Sequence, residues 1–382
     1  MKKIDDICDY LDRLDDRISS FDFDFSLKCT DFKNKKVNSL IDDNLRIKSD
    51  IGYKILYLKN CISKLRNDLK KEDNNYFSLL KRCFSNTDIE DRTYDSFFNS
   101  IVGLDFCFPD IGDYIPQDFI VYKNLIIVSC YLNKELHKRE NSCLFVIDNC
   151  GVILKRIELI DFFNVHVGGL TYDSCNNLLW ICDKNGTISS FDFDLVIDKD
   201  TFKLERNNTF DIGSIGTITN NSSYMTYYDK KIYVGTFNQS KSSHGIVKEI
   251  PLKDGQFDVS NVREFYVSPQ VQGIAFVDFG NKVYMALSTS FGRKNSSRLE
   301  VYIFDNKCNS YCYIGDKKNH TNLVGSSVMP AMMEGILLKK IGNKILVLSM
   351  YESFSKYYNN DKSNLPRNVV NYICTNDLLD LL

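Results

Sequence analysis

Glu334 stands alone in the apolar run Met329-Pro-Ala-Met-Met-Glu-Gly-Ile. A carboxylate in such company either bonds backbone amides or has its proton affinity tuned by burial, for metal ligation or general acid–base work. Glu352, in Tyr351-Glu-Ser-Phe-Ser-Lys-Tyr, would complete a carboxyl pair of the kind that cleaves glycosidic bonds. His166, in Asn-Val-His-Val-Gly-Gly-Leu, adds an imidazole. Asp118, Ser223 and Gln272 bring a carboxylate, a hydroxyl and an amide. Arg293 offers a fixed cation suited to carboxylate or phosphate, and Asp183 and Lys356 stand near strand ends. The candidates for catalysis are therefore Glu334, His166, Glu352 and Asp118. Those for ligand binding are Gln272, Glu334, His166, Ser223, Arg293, Asp183 and Lys356. A divalent metal, if the channel holds one, would take Glu334 and His166.

These residues recur at matching places in a repeat. Five stretches, roughly fifty residues apart, each carry a small or aromatic pivot, a short strand, a tight turn and a second strand. They begin near Gln117, Val167, Ser222, Val271 and Met333, and their pivots align at Phe119, Gly169, Tyr224, Gly273 and Gly335. Such a period built on short strands predicts a mainly β fold, a five-bladed β-propeller. A sixth blade would need a weak repeat hidden in 185–220. Third strands are expected at Cys143, Thr187, Gly245, Leu299 and Asn368, and fourth strands at Lys155 and Arg263. The stretch from Tyr313 to Pro330 reads as a long loop. The last repeat lacks a fourth strand, and Ile101-Val-Gly-Leu-Asp-Phe-Cys-Phe, upstream of the first, is expected to supply it and so remove an open edge. In a propeller the first strand of each blade lines the central channel, which would gather the polar residues at one mouth. Glu334 begins one strand and Glu352 ends the next, so both can share that mouth.

The first ninety residues differ. Ile4, Ile7, Leu11, Leu14 and Ile18 form one helical stripe, and Leu40 to Leu69 suggests a longer helix. Tyr76–Phe84 reads as a third, short one. The expected division is a helical arm over 1–90, a hairpin or small bundle, followed by a propeller over 98–382. Such an arm must pack on itself, on the propeller or on a second copy, which predicts docking or homodimerisation.

Bulk composition narrows the classes. A hydrophobic fraction of 43% argues for an ordered globular chain, and a net charge of −2 gives no electrostatic reason for a nucleic acid or anionic membrane partner. Thirteen cysteines without a CxxC, and only four histidines, argue against structural zinc and for reduced thiols. Acidic residues follow Met-Lys-Lys-Ile at once, with no apolar h-region, and no run approaches the ~18 residues of a membrane span. A cytoplasmic location is expected, with leaderless export left open. No GxGxxG, P-loop, HExxH or GxSxG occurs.

Over roughly residues 100 to 360 the chain resembles a family of bacterial propeller proteins, many of them exported and uncharacterised. The resemblance rests on His166-Val-Gly-Gly, Gln272-Gly, Ser288-Thr-Ser-Phe-Gly-Arg with Ser297-Arg, Met329-Pro-Ala-Met-Met-Glu-Gly, and Glu352-Ser followed by Lys356-Tyr. It implies the propeller and lends no activity. The expectation is thus a propeller that binds a small ligand or a protein partner at a polar channel mouth. The alternative is a metal-dependent hydrolase of a sugar or phosphoester.

Overall fold

The structure, a computed structural model, describes residues 84–85, 92–133, 140–163, 165–183, 186–212, 222–304 and 323–382. The expected arm over 1–90 lies outside them, apart from Phe84 and Ser85. Residues Cys83–Leu382 form one compact unit, a five-bladed β-propeller.

Blade 1 runs Tyr114–Tyr122, Leu125–Leu132, Asn141–Asp148 and Ile153–Phe163, with Lys203–Leu204 added in parallel at its edge. Blade 2 is Gly169–Asp173, Leu178–Cys182, Thr187–Asp192 and Asn208–Asp211. Blade 3 is Tyr224–Tyr228, Lys231–Gly235, Gly245–Lys253 and Arg263–Val267. Blade 4 is Val271–Phe279, Lys282–Thr289, Ser297–Phe304 and Leu323–Met329. Blade 5 is Met333–Ile341, Lys344–Tyr351, Tyr372–Asp377 and, from far upstream, Ile101–Cys107. The closing strand is the one the sequence predicts. The described part of 185–220 makes the outer half of blade 2 and the edge of blade 1, so no sixth blade forms there.

Four first hairpins close with two-residue turns, pairing Tyr122 with Leu125, Tyr228 with Lys231, Phe279 with Lys282 and Ile341 with Lys344. Turns this short suit the twist of the flanking strands only with a left-handed residue at the corner. Asp229 and Lys230 are both left-handed, at φ 48° and 59°. Apolar clusters fill the spaces between blades. One joins blades 1 and 2 through Ile127, Leu144, Leu179 and Phe191. Another joins blades 5 and 1 through Phe106, Phe119, Phe145 and Ile373.

Three local expectations change. Leu323–Met329 is a strand where a loop was expected. Its middle, Gly325-Ser-Ser, reads as a turn, and the strand forms at the blade edge, where most of its residues keep some contact with solvent. The third strand of blade 5 is Tyr372–Asp377, a few residues later than expected. Asn368 instead accepts from Ala331 N at 2.9 Å and Tyr94 Oη at 3.0 Å, and Val369–Val370 pairs with Phe84–Ser85. Phe84, expected to end a helix, is therefore in a strand. Of the described cysteines, Cys130, Cys143, Cys182 and Cys374 are buried free thiols and Cys107, Cys150 and Cys175 are exposed ones.

Candidate functional site

Three of the five innermost strands break register at the pivot. The bulges fall at Pro116/Asp118, Val271/Gly273 and Met333/Ile336, on Gln117, Gln272 and the pair Glu334-Gly335. A bulge leaves its extra residue out of the ladder and re-aims its side chain. The residues it frees here are two amides and a carboxylate.

Blade 5 supplies both carboxylates. Met333 pairs with Tyr351, and Glu352 N donates to Met332 O at 3.1 Å, so Glu334 and Glu352 sit at the same end of one hairpin. Each is held by an amide from a neighbouring blade. Gln272 Nε2 of blade 4 donates to Glu334 Oε1 at 3.2 Å. Gln117 Nε2 of blade 1 donates to Glu352 Oε2 at 3.2 Å and also to Pro116 O at 2.9 Å. Tyr358, in the short helix Lys356–Asn359, donates its hydroxyl to the same Glu352 Oε2 at 2.9 Å. Glu334 is 4% exposed and Gln117 1% exposed, whereas Glu352 keeps partial contact with solvent.

The electrostatics follow from that arrangement. Burial holds the Glu334 carboxyl well above the usual carboxylate range, and the charges of Glu352 and Asp118 push it further. Burial also raises Glu352, to about 7, against the pull of Tyr358, Gln117 and Arg293. Burial and the Glu352 charge push the Tyr131 and Tyr358 hydroxyls far up as well, with Glu334 adding to both. Tyr131 brings His166 to the group, their rings lying 4.4 Å apart. Arg293 reaches the site indirectly. Its guanidinium donates to Asp361 Oδ2 at 2.6 Å and Asn364 O at 2.9 Å while lying 4.7 Å over the Tyr358 ring. That fixes the tyrosine that bonds Glu352.

Asp118 lies beneath the pair and has a different role. Its Oδ1 accepts from Phe119 N and its Oδ2 from Leu170 N, both at 2.8 Å, bolting blade 1 to blade 2. Burial pushes it up to about 8 although both amides pull the other way. A Cβ on Gly335 would lie 2.2 Å from Asp118 Oδ1, so only glycine lets blades 5 and 1 meet so closely. Gly168 does the same between blades 2 and 3, with a hypothetical Cβ 2.2 Å from Ser223 O. At or next to the pivots the second-strand partners are small: Cys182, Gly235 and Ser288 opposite Gly169, Tyr224 and Gly273, Ser129 opposite Asp118 and Ser349 opposite Ile336. Two of their hydroxyls bridge onward to the next blade, Ser129 Oγ to Val167 O at 3.1 Å and Ser288 Oγ to Glu334 O at 2.7 Å.

The structure therefore brings Glu334, Glu352 and Gln272 together, sets His166 beside them through Tyr131, and places Arg293 one contact further out. Ser223, Asp183 and Lys356 are engaged elsewhere. Ser223 Oγ accepts from Phe237 N at 3.2 Å. Asp183 accepts from Thr187 N at 3.2 Å in a buried turn. Lys356 forms an exposed ion pair with Asp110 at 2.8 Å. Gln117, which the sequence places as a neighbour of the channel ring, joins the site, as do Tyr131 and Tyr358, which sequence did not single out. Gln117 sits one residue before Asp118 and Tyr358 two beyond Lys356, so only the bulge and the helical turn show that they are the ones that face it.

A metal fits this arrangement poorly. No group of three or more His, Cys, Asp or Glu side chains among the described residues is disposed to hold one. Among the described residues no helix is long and apolar enough to cross a membrane.

The sequence matches no known family description and no curated protein. Several solved structures share the propeller fold at low identity. Glutaminyl cyclase from Myxococcus xanthus is 9% identical, with 72% of this chain and 94% of that one covered at a TM-score of 0.38. BBS1N in complex with ARL6DN is 11% identical, over 62% and 61% of the two chains at 0.33. The β-propeller domain of Cps50 (Swd1) from Myceliophteria thermophila is 8% identical, over 62% and 65% at 0.30. The chain is a β-propeller protein by its own strand order, and likeness at this level adds nothing to that.

Proposed function

We propose that the protein binds a small polar ligand at the channel mouth, with Glu334 and Glu352 as its central contacts and Gln117, Gln272, Tyr131, Tyr358 and His166 around them. The observation that carries this is the pair of buried carboxyls at one mouth, each anchored through one oxygen by an amide from a different neighbouring blade. Burying two carboxyls costs stability, which a purely structural channel would avoid with apolar or neutral residues. Anchoring them from both sides is what a preorganised site requires. Under this reading the first ninety residues act as a docking or dimerisation arm, supported by the Ile4–Ile18 stripe.

A native mass spectrum of the full-length protein as purified, with a thermal-shift screen against small polar compounds, tests the reading. A retained or stabilising ligand that is lost in Glu334→Gln supports it. Ligand binding indifferent to Glu334→Gln and Glu352→Gln would refute it.

The raised proton affinity of both carboxyls also favours a second reading, general acid–base hydrolysis by the pair, with Glu352 at about 7 suited to exchange a proton near neutrality. That reading requires turnover of chromogenic glycosides or phosphoesters, abolished by Glu352→Gln; binding without turnover leaves the first.

A further inference from the structure

We infer that the ligand of this mouth is an organic cation carrying a primary amine, a proposal that rests on the binding function just given. Each carboxylate uses one oxygen for its amide anchor. The other oxygens, Glu334 Oε2 and Glu352 Oε1, accept no hydrogen bond, and neither is among the buried unpartnered atoms. The two glutamines repeat the pattern. Their Nε2 groups are spent on the carboxylates and on Pro116 O, while Gln117 Oε1 and Gln272 Oε1 have no donor. Gln117 is almost wholly buried, so its unpartnered oxygen is held against the site by its own amide bond to Glu352. Four acceptor oxygens on these residues lack a donor, against one hydroxyl, that of Tyr131, that donates to no partner.

Charge points the same way. Two carboxyls share the mouth and neither has an ion-pair partner within salt-bridge distance among the described residues. Arg293, the nearest cation, is committed to Asp361 and Asn364. An ammonium brings three donors and one positive charge, which answers both deficits. The rings of Tyr131 and His166 lie together near the pair, and aromatic rings beside carboxylates suit an alkylammonium. A neutral polyol would satisfy some acceptors and leave the charge unpaired. An anion would meet two carboxylates and no cation free to pair with it.

Without a cation the pair holds a proton, so the two compete. Binding of an amine should release protons near neutral pH and tighten as pH rises from 6 to 8, a range in which an alkylamine stays charged. The groups facing the pair are Asp118, Tyr131, Tyr358, His166 and Arg293. Histidine side chains in general titrate in this range, so His166→Asn serves as the control that separates the contribution of this ring.

The test is isothermal titration of the full chain with butylammonium, butan-1-ol and glucose, in buffers of different ionisation enthalpy. Butylammonium should bind, release protons and weaken on the order of 10- to 100-fold in Glu334→Gln and Glu352→Gln, the loss expected for a charged hydrogen bond. Lys203→Ala, remote on blade 1, should not change it. Failure of butylammonium to bind, or equal binding of butan-1-ol, overturns the proposal. If glucose binds in its place and requires Glu334, the amine class falls and the channel-mouth site stands. If butylammonium binds equally in both glutamine variants, the site itself is refuted.

Discussion

At pH 8 the Glu352→Gln variant should melt higher than the wild type, and the gap should close as pH falls. The ordinary glutamate pKa of 4.5 rises to about 7 in the fold, chiefly by burial. A raised carboxyl pKa means that the native state binds more protons than the unfolded chain between those values. Stability is therefore full below pH 4.5, declines as pH rises through 7 and is flat above. At ~1.4 kcal/mol per tenfold in proton affinity the full penalty is about 3 kcal/mol. Partial exposure of Glu352 screens some of this, leaving about 2 kcal/mol. For a unit of this size about 2 °C accompanies each kcal/mol, so the melting temperature at pH 8 should rise by about 4 °C. The glutamine can keep the existing bonds, since Gln117 Nε2 and Tyr358 Oη converge on one oxygen, which its carbonyl replaces. Differential scanning fluorimetry from pH 4.5 to 8.5 reads the effect. Parallel curves for the two proteins, or a lower melting temperature for the variant at pH 8, would refute a charge burial cost at this site.

Three further outcomes test other parts of the frame. Gly335→Ala places a methyl 2.2 Å from Asp118 Oδ1 and 3.0 Å from its Cα, and should cost about 1–3 kcal/mol as blades 5 and 1 are forced apart; an unchanged melting temperature would count against that close approach. Arg293→Met removes the bonds to Asp361 and Asn364 and the cation over Tyr358, so limited proteolysis should cut 360–367 faster and ligand affinity should drop, with little change in global melting. Phe106→Ala empties a position packed on Phe108 in the cluster that also holds Ile373, and should lower stability by about 3–5 kcal/mol in denaturant titration.

Blade count, strand order and ring closure are legible in the sequence because a propeller writes the same short hairpin repeatedly, and each copy corroborates the next. What eludes sequence is local. Leu323–Met329 forms an edge strand although Gly325-Ser-Ser interrupts its apolar residues, since an edge strand is held from one flank and keeps much of its surface in solvent. The row of Ser129, Cys182, Gly235, Ser288 and Ser349 becomes visible only once cross-strand partners are known. The site divides in the same way. Glu334 stands out because a carboxylate in apolar sequence demands an explanation, and Glu352 because it ends the strand that returns beside it. Asp118 looks equivalent and is not, because both its oxygens are consumed by backbone amides. Gln117 is visible only as a neighbour of the ring, because an ordinary strand would turn it away, and it is the break between Pro116 and Asp118 that frees it.

The joint between Ile101–Cys107 and Tyr372–Asp377 also sets a timetable for biosynthesis. The upstream strand leaves the ribosome about 265 residues before its partner, a wait on the order of tens of seconds at ordinary translation speed. Throughout that interval Phe106 has no Ile373 to cover it, and both flanks of the strand present unpaired amides. Nascent chains of this protein should therefore be clients of holding chaperones until synthesis has passed Asp377. A mutation that slows elongation late in the message would lengthen that exposure without altering a single contact of the finished ring.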